Sequence, residues 1–573
     1  MLIKTLTVTL SLCMVLPGGQ PLFAQREVTA TTDLSWVIEN YYTGKEDLDK
    51  VYIFKDSPEY FDRFDTYYRE ALQDLSSMSF TNLSTNSQVD FILLKRNIVK
   101  AQKDLSEAKS IYQQIHQYIP FDTSIISMQA SRRRGSYPDA MMVASRFQSI
   151  KNQIDTLQTW YKSQPPLTAS LNSKLSDVID NLRKGVQSAY SFYDAYDPLF
   201  TWWVKGPFNQ LDSALLQYSL QVKSARTKQS LASNDGSGIE GNPIGAKALQ
   251  DLLDYEMIPY TAEELVAIAN REFAWCDNEI KKASRQMGFG DDWKQALAKV
   301  KLNYVAPGKQ PQLVNTLAEE AIAFIEQHNM ITIPPLAKEV WRMSMLTEAQ
   351  QRLAPFFLGG ESILIGYPTD KMDFETRMMS MRSNNYAFAH ATVYHELIPG
   401  HNLQYFMNRR YKQYRSAFRT PFSIEGWSLY WEMLLWDKNF NDTPEKKMGA
   451  LFWRMHRCAR IIFSLNYHLE KWTPQQCINF LIERVGHEKF SAEGEVRRSF
   501  TGGYGPLYQI AYMLGGLQLR QLYKEVVDTK KMTEKEFHDA YLKENTIPIE
   551  MFRAIITKQP LTENHKSKWK FAQ

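Results

Sequence analysis

Apolar residues recur at three- and four-residue spacing, with polar residues between them, over residues 61–75, 89–119, 145–160 and 175–195. That period matches a helical turn, so the stretch from about Ser57 to Tyr218 is predicted to be a run of amphipathic helices, each burying one stripe. Trp202-Trp203 is expected to anchor a turn in the core. Residues 227–245 (TKQSLASNDGSGIEGNPIG) are rich in Ser, Asn and Gly and read as a linker. They divide an N-terminal helical lobe (residues 25–235) from a C-terminal one (residues 236–573). Thr261-Ala262-Glu263-Glu264 has the form of a helix start, with acidic residues in the first turn. Helices are predicted at about 262–285 and 314–328. Residues 356–368 (FFLGGESILIGYP) break the pattern: a β-branched run between Gly and Pro suggests a strand or extended edge. The expected fold class is mostly α, with a small β element near residue 360.

Composition adds limits. The chain has 573 residues, 44% hydrophobic and 23% charged, as in a soluble globular protein. A net charge of +4 with scattered basic residues argues against a nucleic-acid track. Lys4, an apolar run over residues 6–16, Pro17-Gly18-Gly19 and Leu22-Phe23-Ala24 read as a secretory signal peptide covering residues 1–24. Cys13 lies inside the apolar run and not after a small residue, so lipidation is not expected. No later segment approaches the ~18 apolar residues of a spanning helix, so no stable membrane anchor is expected and the mature protein is placed in the periplasm or outside the cell. Cys276, Cys458 and Cys477 then remain, too few for a disulfide framework, with one bridge between Cys458 and Cys477 left open. Any metal must be held by His and Glu.

The run Tyr394-His-Glu-Leu-Ile-Pro-Gly-His401 carries the chemistry. A His-Glu pair followed by a second His is how many hydrolases hold zinc: the imidazoles bind the ion and the carboxylate accepts a proton from water. In His-Glu-x-x-His the histidines are four apart and share a helix face. Here they are six apart, roughly 240° around a regular helix. Pro399 cannot donate to the carbonyl of His395, and Gly400 tolerates the dihedrals of a bulge. The run therefore reads as a zinc motif with a kink, the helix broken over residues 398–400 and His401 starting the next turn, or as no zinc motif at all. A third protein ligand is required. Glu425 and Glu432 lie seven apart on nearly one helix face, and Glu425 follows His401 by a helix, a turn and a return helix. Glu425 is the expected ligand, with Glu432 behind it or structural.

These residues resemble a known family. His395-Glu-Leu-Ile-Pro-Gly-His-Asn-Leu-Gln404 is similar to the signature of the bacterial domain-of-unknown-function-885 family of presumed zinc metallopeptidases. Further blocks follow in the family's order: Glu425-Gly-Trp-Ser-Leu-Tyr-Trp-Glu432; Arg457-Cys-Ala-Arg460 with His468 and Trp472-Thr-Pro-Gln-Gln; and Glu495-Val-Arg-Arg498 with Gly505-Pro506 and Tyr512-Met-Leu-Gly515. The resemblance spans about residues 244–520 and is weaker before them. It departs at Asn402, where the family usually has a second His, at Ser464 in place of an acidic residue, and around Gly502-Gly503.

The resemblance implies a gluzincin-like helical shell around a deep cleft, similar in outline to thimet oligopeptidase and angiotensin-converting enzyme. Zinc would be held by His395, His401 and Glu425, with Glu396 as general base. Tyr512 and His468 are the expected oxyanion donors. Arg498 would clamp a substrate carboxylate, and the extended segment from Ile363 to Gly366 would pair with substrate backbone. Arg457 and Arg460, three apart, read better as buried ion pairs. The expected function is an exported zinc peptidase acting on short peptides, as a carboxypeptidase or peptidyl-dipeptidase. The alternatives are a zinc hydrolase of a non-peptide amide and a non-catalytic peptide-binding protein.

Overall fold

Helices begin where a short polar side chain can take up an otherwise unpaired N–H. Ser57, Ser84, Asp139, Thr168, Thr261, Asn385, Thr420 and Thr443 each accept from a backbone amide of the first turn. At Thr261 the cap is reciprocal, Glu264 bonding back to the Thr261 amide. The computed structural model describes residues 33–133, 135–136, 138–231, 235–354, 356–501 and 503–572. The expected signal peptide lies outside the described residues, as does part of the expected linker.

Among the described residues, 72% are helical and 2% lie in strands. The first helices are α1 (Ser35–Val51), α2 (Pro58–Ser76), α3 (Thr85–Ile115), α4 (Asp122–Arg133), α5 (Ala140–Ser163), α6 (Ala169–Tyr193) and α7 (Pro198–Leu231). There follow α8 (Gly245–Tyr255), α9 (Ala262–Gln286), α10 (Trp293–Lys301), α11 (Gln310–Gln327), α12 (Pro335–Val340), strand β1 (Arg342–Met345), α13 (Glu348–Gln351) and strand β2 (Ser362–Ile365). The remainder is α14 (Phe374–Ser383), α15 (Tyr386–Glu396), α16 (His401–Asn408), α17 (Pro421–Asp437), α18 (Pro444–His468), α19 (Pro474–Phe480), α20 (Lys489–Thr501), α21 (Tyr508–Tyr523), α22 (Glu534–Lys543) and α23 (Ile549–Thr557).

One hydrophobic core is drawn almost wholly from residues 34–222, joined by Met257, Phe418, Ile547 and Met551. Three others are built from residues 239 onward. The predicted helices over 61–75, 89–119 and 175–195 fall on α2, α3 and α6, because their apolar stripes have that core to face.

Three expectations are corrected. Trp202 is 81% exposed and Trp203 is 46% exposed, so neither anchors a core. All three described cysteines are free and buried. Cys458 faces Cys276, while Cys477 donates to the Phe463 carbonyl, so the pairing considered for Cys458 and Cys477 does not occur. The extended segment is β2, but it is not an open edge. It pairs in parallel with β1, Ile363 opposite Met343, and Leu364 exchanges both backbone hydrogen bonds with Leu358 on its other side. Ile363 and Gly366 are buried, with no free strand edge to offer a substrate.

Candidate metal centre

α15 stops at Glu396, Ile398–Pro399 is a cis peptide bond, and α16 begins at His401. The break falls where Pro399 was expected to place it. Two carbonyls left over at the break are taken by α17: Ser428 Oγ donates to His395 O at 2.9 Å, and Trp427 Nε1 donates to Pro399 O at 2.8 Å. Gly400 owes its place to space more than to dihedral freedom. A Cβ there would lie 1.8 Å from His395 O. The chain thus folds back on itself tightly enough to bring residues six apart to one point. The His395 and His401 rings are perpendicular, with centroids 4.9 Å apart.

Glu425 comes to the same point from α17. Its Oε2 lies 3.1 Å from His401 Nε2 and 3.9 Å from His395 Nε2. Ligand atoms at 2.0–2.1 Å from a tetrahedral zinc are about 3.3 Å from one another, which these two distances bracket. Ligand-capable atoms of His395, Glu396 and His401 also lie within 4.8 Å of one another. The other acid of α17, Glu432, lies behind: its Oε1 accepts from His395 Nδ1 at 2.6 Å. That bond fixes the tautomer with the Nε2 lone pair facing Glu425 and His401, the usual support of a metal-binding imidazole. The donor set therefore fits a zinc ion.

Electrostatics agree with this division of roles. Burial, reinforced by His401 and Arg457, drives the His395 pKa far down, so its imidazole is neutral. Burial also opposes charge on His401, but the Glu425 carboxylate more than offsets it and raises the pKa. Glu425 is buried too, yet His401 and His395 hold its carboxyl well below the usual range. Burial pushes Glu396 up to about 7, poised to take and release a proton near neutral pH. Burial likewise raises Glu432 to about 7, opposed by Arg457.

α21 completes the wall. It crosses α17 where Gly426 meets Gly515; a Cβ on Gly515 would lie 2.0 Å from Phe422 O. This contact delivers Tyr508, whose hydroxyl donates to Glu425 Oε1, and Tyr512, whose ring lies parallel to that of His395 at 6.2 Å. Tyr508 is not among the site residues expected from the sequence. The signal was its place one turn before Tyr512, on the same helix face. Arg457 and Arg460 sit over the Tyr512 ring at 4.7 and 4.3 Å. Arg457 pairs with Glu432 at 3.4 Å, and Arg460 with the fully buried Glu495 at 2.7 Å.

A cavity of about 550 Å³ opens onto these groups and is lined by Glu396, His401, Glu425, Arg498, Tyr508 and Tyr512 among others. Arg498 is buried, donates to Tyr504 OH at 3.1 Å, lies 3.9 Å from Glu495, and has an Nε without a partner. Arg457 and Arg460 pair with Glu432 and Glu495, while Arg498 shares Glu495 with Arg460 and also acts on the Glu396 carboxyl. On the opposite side the cavity meets Leu358, Gly359 and Gly360. This segment, and not Ile363 or Gly366, is the backbone beside Glu396. Asn402, at the family's usual His position, is buried and holds it there by donating to Gly360 O at 2.9 Å and Glu361 O at 3.2 Å.

His468 is the second correction to the expected site. It lies eleven residues beyond Arg457 on α18, about 16 Å along the axis, and does not line the cavity. Its ring packs against Tyr467 and Phe500, and burial lowers its pKa to about 4. It is a core histidine.

The match to the family model "Bacterial protein of unknown function (DUF885)" runs over residues 42–556, and the chain belongs to that family. The fold is similar to that of a protein described as a candidate lipoprotein of unknown function from Shewanella oneidensis. The TM-score is 0.66 at 16% identity, over 92% of this chain and all of the other. A candidate lipoprotein from Colwellia psychrerythraea is similar with a TM-score of 0.57 at 16% identity, over 91% of this chain and 98% of the other. No curated protein matches the chain. Among the described residues no helix is long and apolar enough to cross a membrane.

Proposed function

We propose that this protein is an exported zinc-dependent peptidase that hydrolyses short peptides near their C-terminal end, with a helical, zincin-like arrangement around its cleft. The observation that carries the reading is the convergence of His395 Nε2, His401 Nε2 and Glu425 Oε2 beside the Glu396 carboxylate, at the wall of the cavity. His395, His401 and Glu425 would hold the ion. Zinc supplies Lewis acidity, polarising a carbonyl and lowering the pKa of a water to about 7.

The chain's own groups do the rest. Glu396 accepts the proton of the attacking water and returns it to the leaving amine, a task suited to a carboxyl near pH 7. Tyr508 is spent on Glu425, so Tyr512 is the hydroxyl available to the developing oxyanion. Arg498, which lines the cavity and has an unpaired Nε, receives the substrate's terminal carboxylate. The Gly359 edge, already bonded to β2 through Leu358, can take substrate backbone as a further strand. Export is supported by the expected signal peptide and by the names of the two similar structures.

Metal analysis of the purified protein, with a peptide-library digest by wild type and Glu396→Gln, tests this reading. Stoichiometric zinc, with cleavage abolished in the variant, is expected. Absence of bound metal, or equal cleavage by both forms, would overturn it. Zinc with cleavage of acylated amino acids but not peptides would favour the non-peptide amide hydrolase.

A further inference from the structure

The far end of the N-terminal helices carries an apolar tip that nothing in the site explains. Tyr196 is 85% exposed and Trp202 is 81% exposed, and Met141, Met142, Phe192 and Leu199 are each more than half exposed. Large apolar side chains standing this far into water are unusual and mark an interaction surface. They come from three elements at one end. α5 and α7 run parallel with an offset of about sixty residues, Gln158 meeting Ala214 and Gln221. The first turn of α5, with Met141 and Met142, therefore lies beside that of α7, with Leu199 and Trp202. Phe192 lies in the last turn of α6, and Tyr196 belongs to the turn that joins α6 to α7.

Charge around the tip is arranged in depth. Arg146 lies one helical turn below Met142, and Lys205 one turn below Trp202, or about 5 Å. The Arg132 guanidinium sits over the Phe192 ring at 4.9 Å. None of these three cations is in an ion pair among the described residues. The nearby acids are engaged as caps: exposed Asp139 accepts from the Met142 amide, half-buried Asp194 from Thr201 Oγ1, and buried Asp197 from the Leu199 and Phe200 amides. The result is an aromatic and aliphatic knob with a cationic collar.

We propose that this tip docks the protein peripherally on an anionic lipid bilayer, with the knob at the level of the acyl boundary and the collar among the headgroups. Trp, Tyr, Phe, Leu and Met are side chains that partition into this zone, and cations one turn below them meet anionic headgroups. Shape favours a fluid layer over a protein partner. A side chain exposed beyond four fifths stands clear of its own chain, and a protein would need a matching pocket for each, whereas acyl chains conform to it.

Flotation of the full-length mature protein with phosphatidylglycerol-containing vesicles, and with pure phosphatidylcholine vesicles, tests this. Binding to the anionic vesicles that weakens with added salt is expected. Leu199→Ser combined with Trp202→Ser should weaken it about tenfold or more, as should Arg146→Glu with Lys205→Glu at low salt, both without change in the thermal melt. No binding by the wild type, or binding that neither variant alters, would overturn the proposal. So would a concentration-dependent dimer in light scattering that the Leu199/Trp202 variant abolishes, since the knob would then close on a second copy.

Discussion

Replacing Gly400 by Ala adds one methyl group at the point where the two histidines are brought together. That Cβ would lie 1.8 Å from His395 O, 2.5 Å from its carbonyl carbon and 2.6 Å from Tyr394 O. All three are backbone atoms, so no rotamer change relieves the contact. Reaching even 3.0 Å from His395 O, below which real Cβ atoms are essentially never found, requires the α15 end and the α16 start to separate by 1.2 Å. A zinc site tolerates only about 0.2 Å in its ligand distances. The substitution should therefore weaken zinc binding by at least about a hundredfold, measured by equilibrium competition with a chromogenic chelator. Overpacking should also cost about 1–3 kcal/mol of stability, read by urea unfolding of the chelated protein. Gly505→Ala, where an added Cβ meets nothing within 4 Å, is the control and should match wild type. Wild-type zinc affinity in Gly400→Ala would refute both the ligand assignment and the steric argument.

Three further outcomes follow from the same geometry. Glu432→Gln should lower zinc affinity about 10–100-fold, because His395 loses its charged partner while every proposed ligand remains; unchanged affinity would remove Glu432 from the site. Arg498→Lys should raise KM for peptides with a free C-terminus by about tenfold or more and leave C-terminally amidated peptides unaffected, since a point charge replaces a planar fork; equal effects on both substrates would place Arg498 in structure alone. His538 is fully buried, accepting from Tyr430 OH at 2.7 Å with its other ring nitrogen 2.7 Å from Met330 O, and burial lowers its pKa from 6.5 to about 4. Below pH 6.5 the unfolded chain binds a proton that the folded chain refuses, so stability is lost as pH falls from 6.5 to 4, by up to about 3 kcal/mol. His538→Gln should flatten that slope in urea titrations, and an identical pH profile in both proteins would contradict the assignment.

Much of this was legible along the chain. Helix periodicity and caps are local physics: the stripe of α3 and the reciprocal cap at Thr261 depend on residues a few positions apart. The break between α15 and α16 was legible for the same reason, because proline's missing N–H acts within one turn. Even the expected place of Glu425 rested on a short path, one helix out and one back.

What the chain could not display was which distant surfaces meet. Tyr508 reaches Glu425 only because two glycines, Gly426 and Gly515, let α17 and α21 touch. The strand over residues 362–365 could be seen, but its partners at β1 and Leu358, which close both its edges, could not. His468 and Tyr512 both looked able to donate, and only the direction of α18 separates them. Trp202 has the composition of a core residue and points into water, because burial depends on what lies opposite. Local pattern determines which elements form and where they end. Long-range packing decides which of their faces become core, site or surface, since those energies come from contacts between residues tens to hundreds of positions apart.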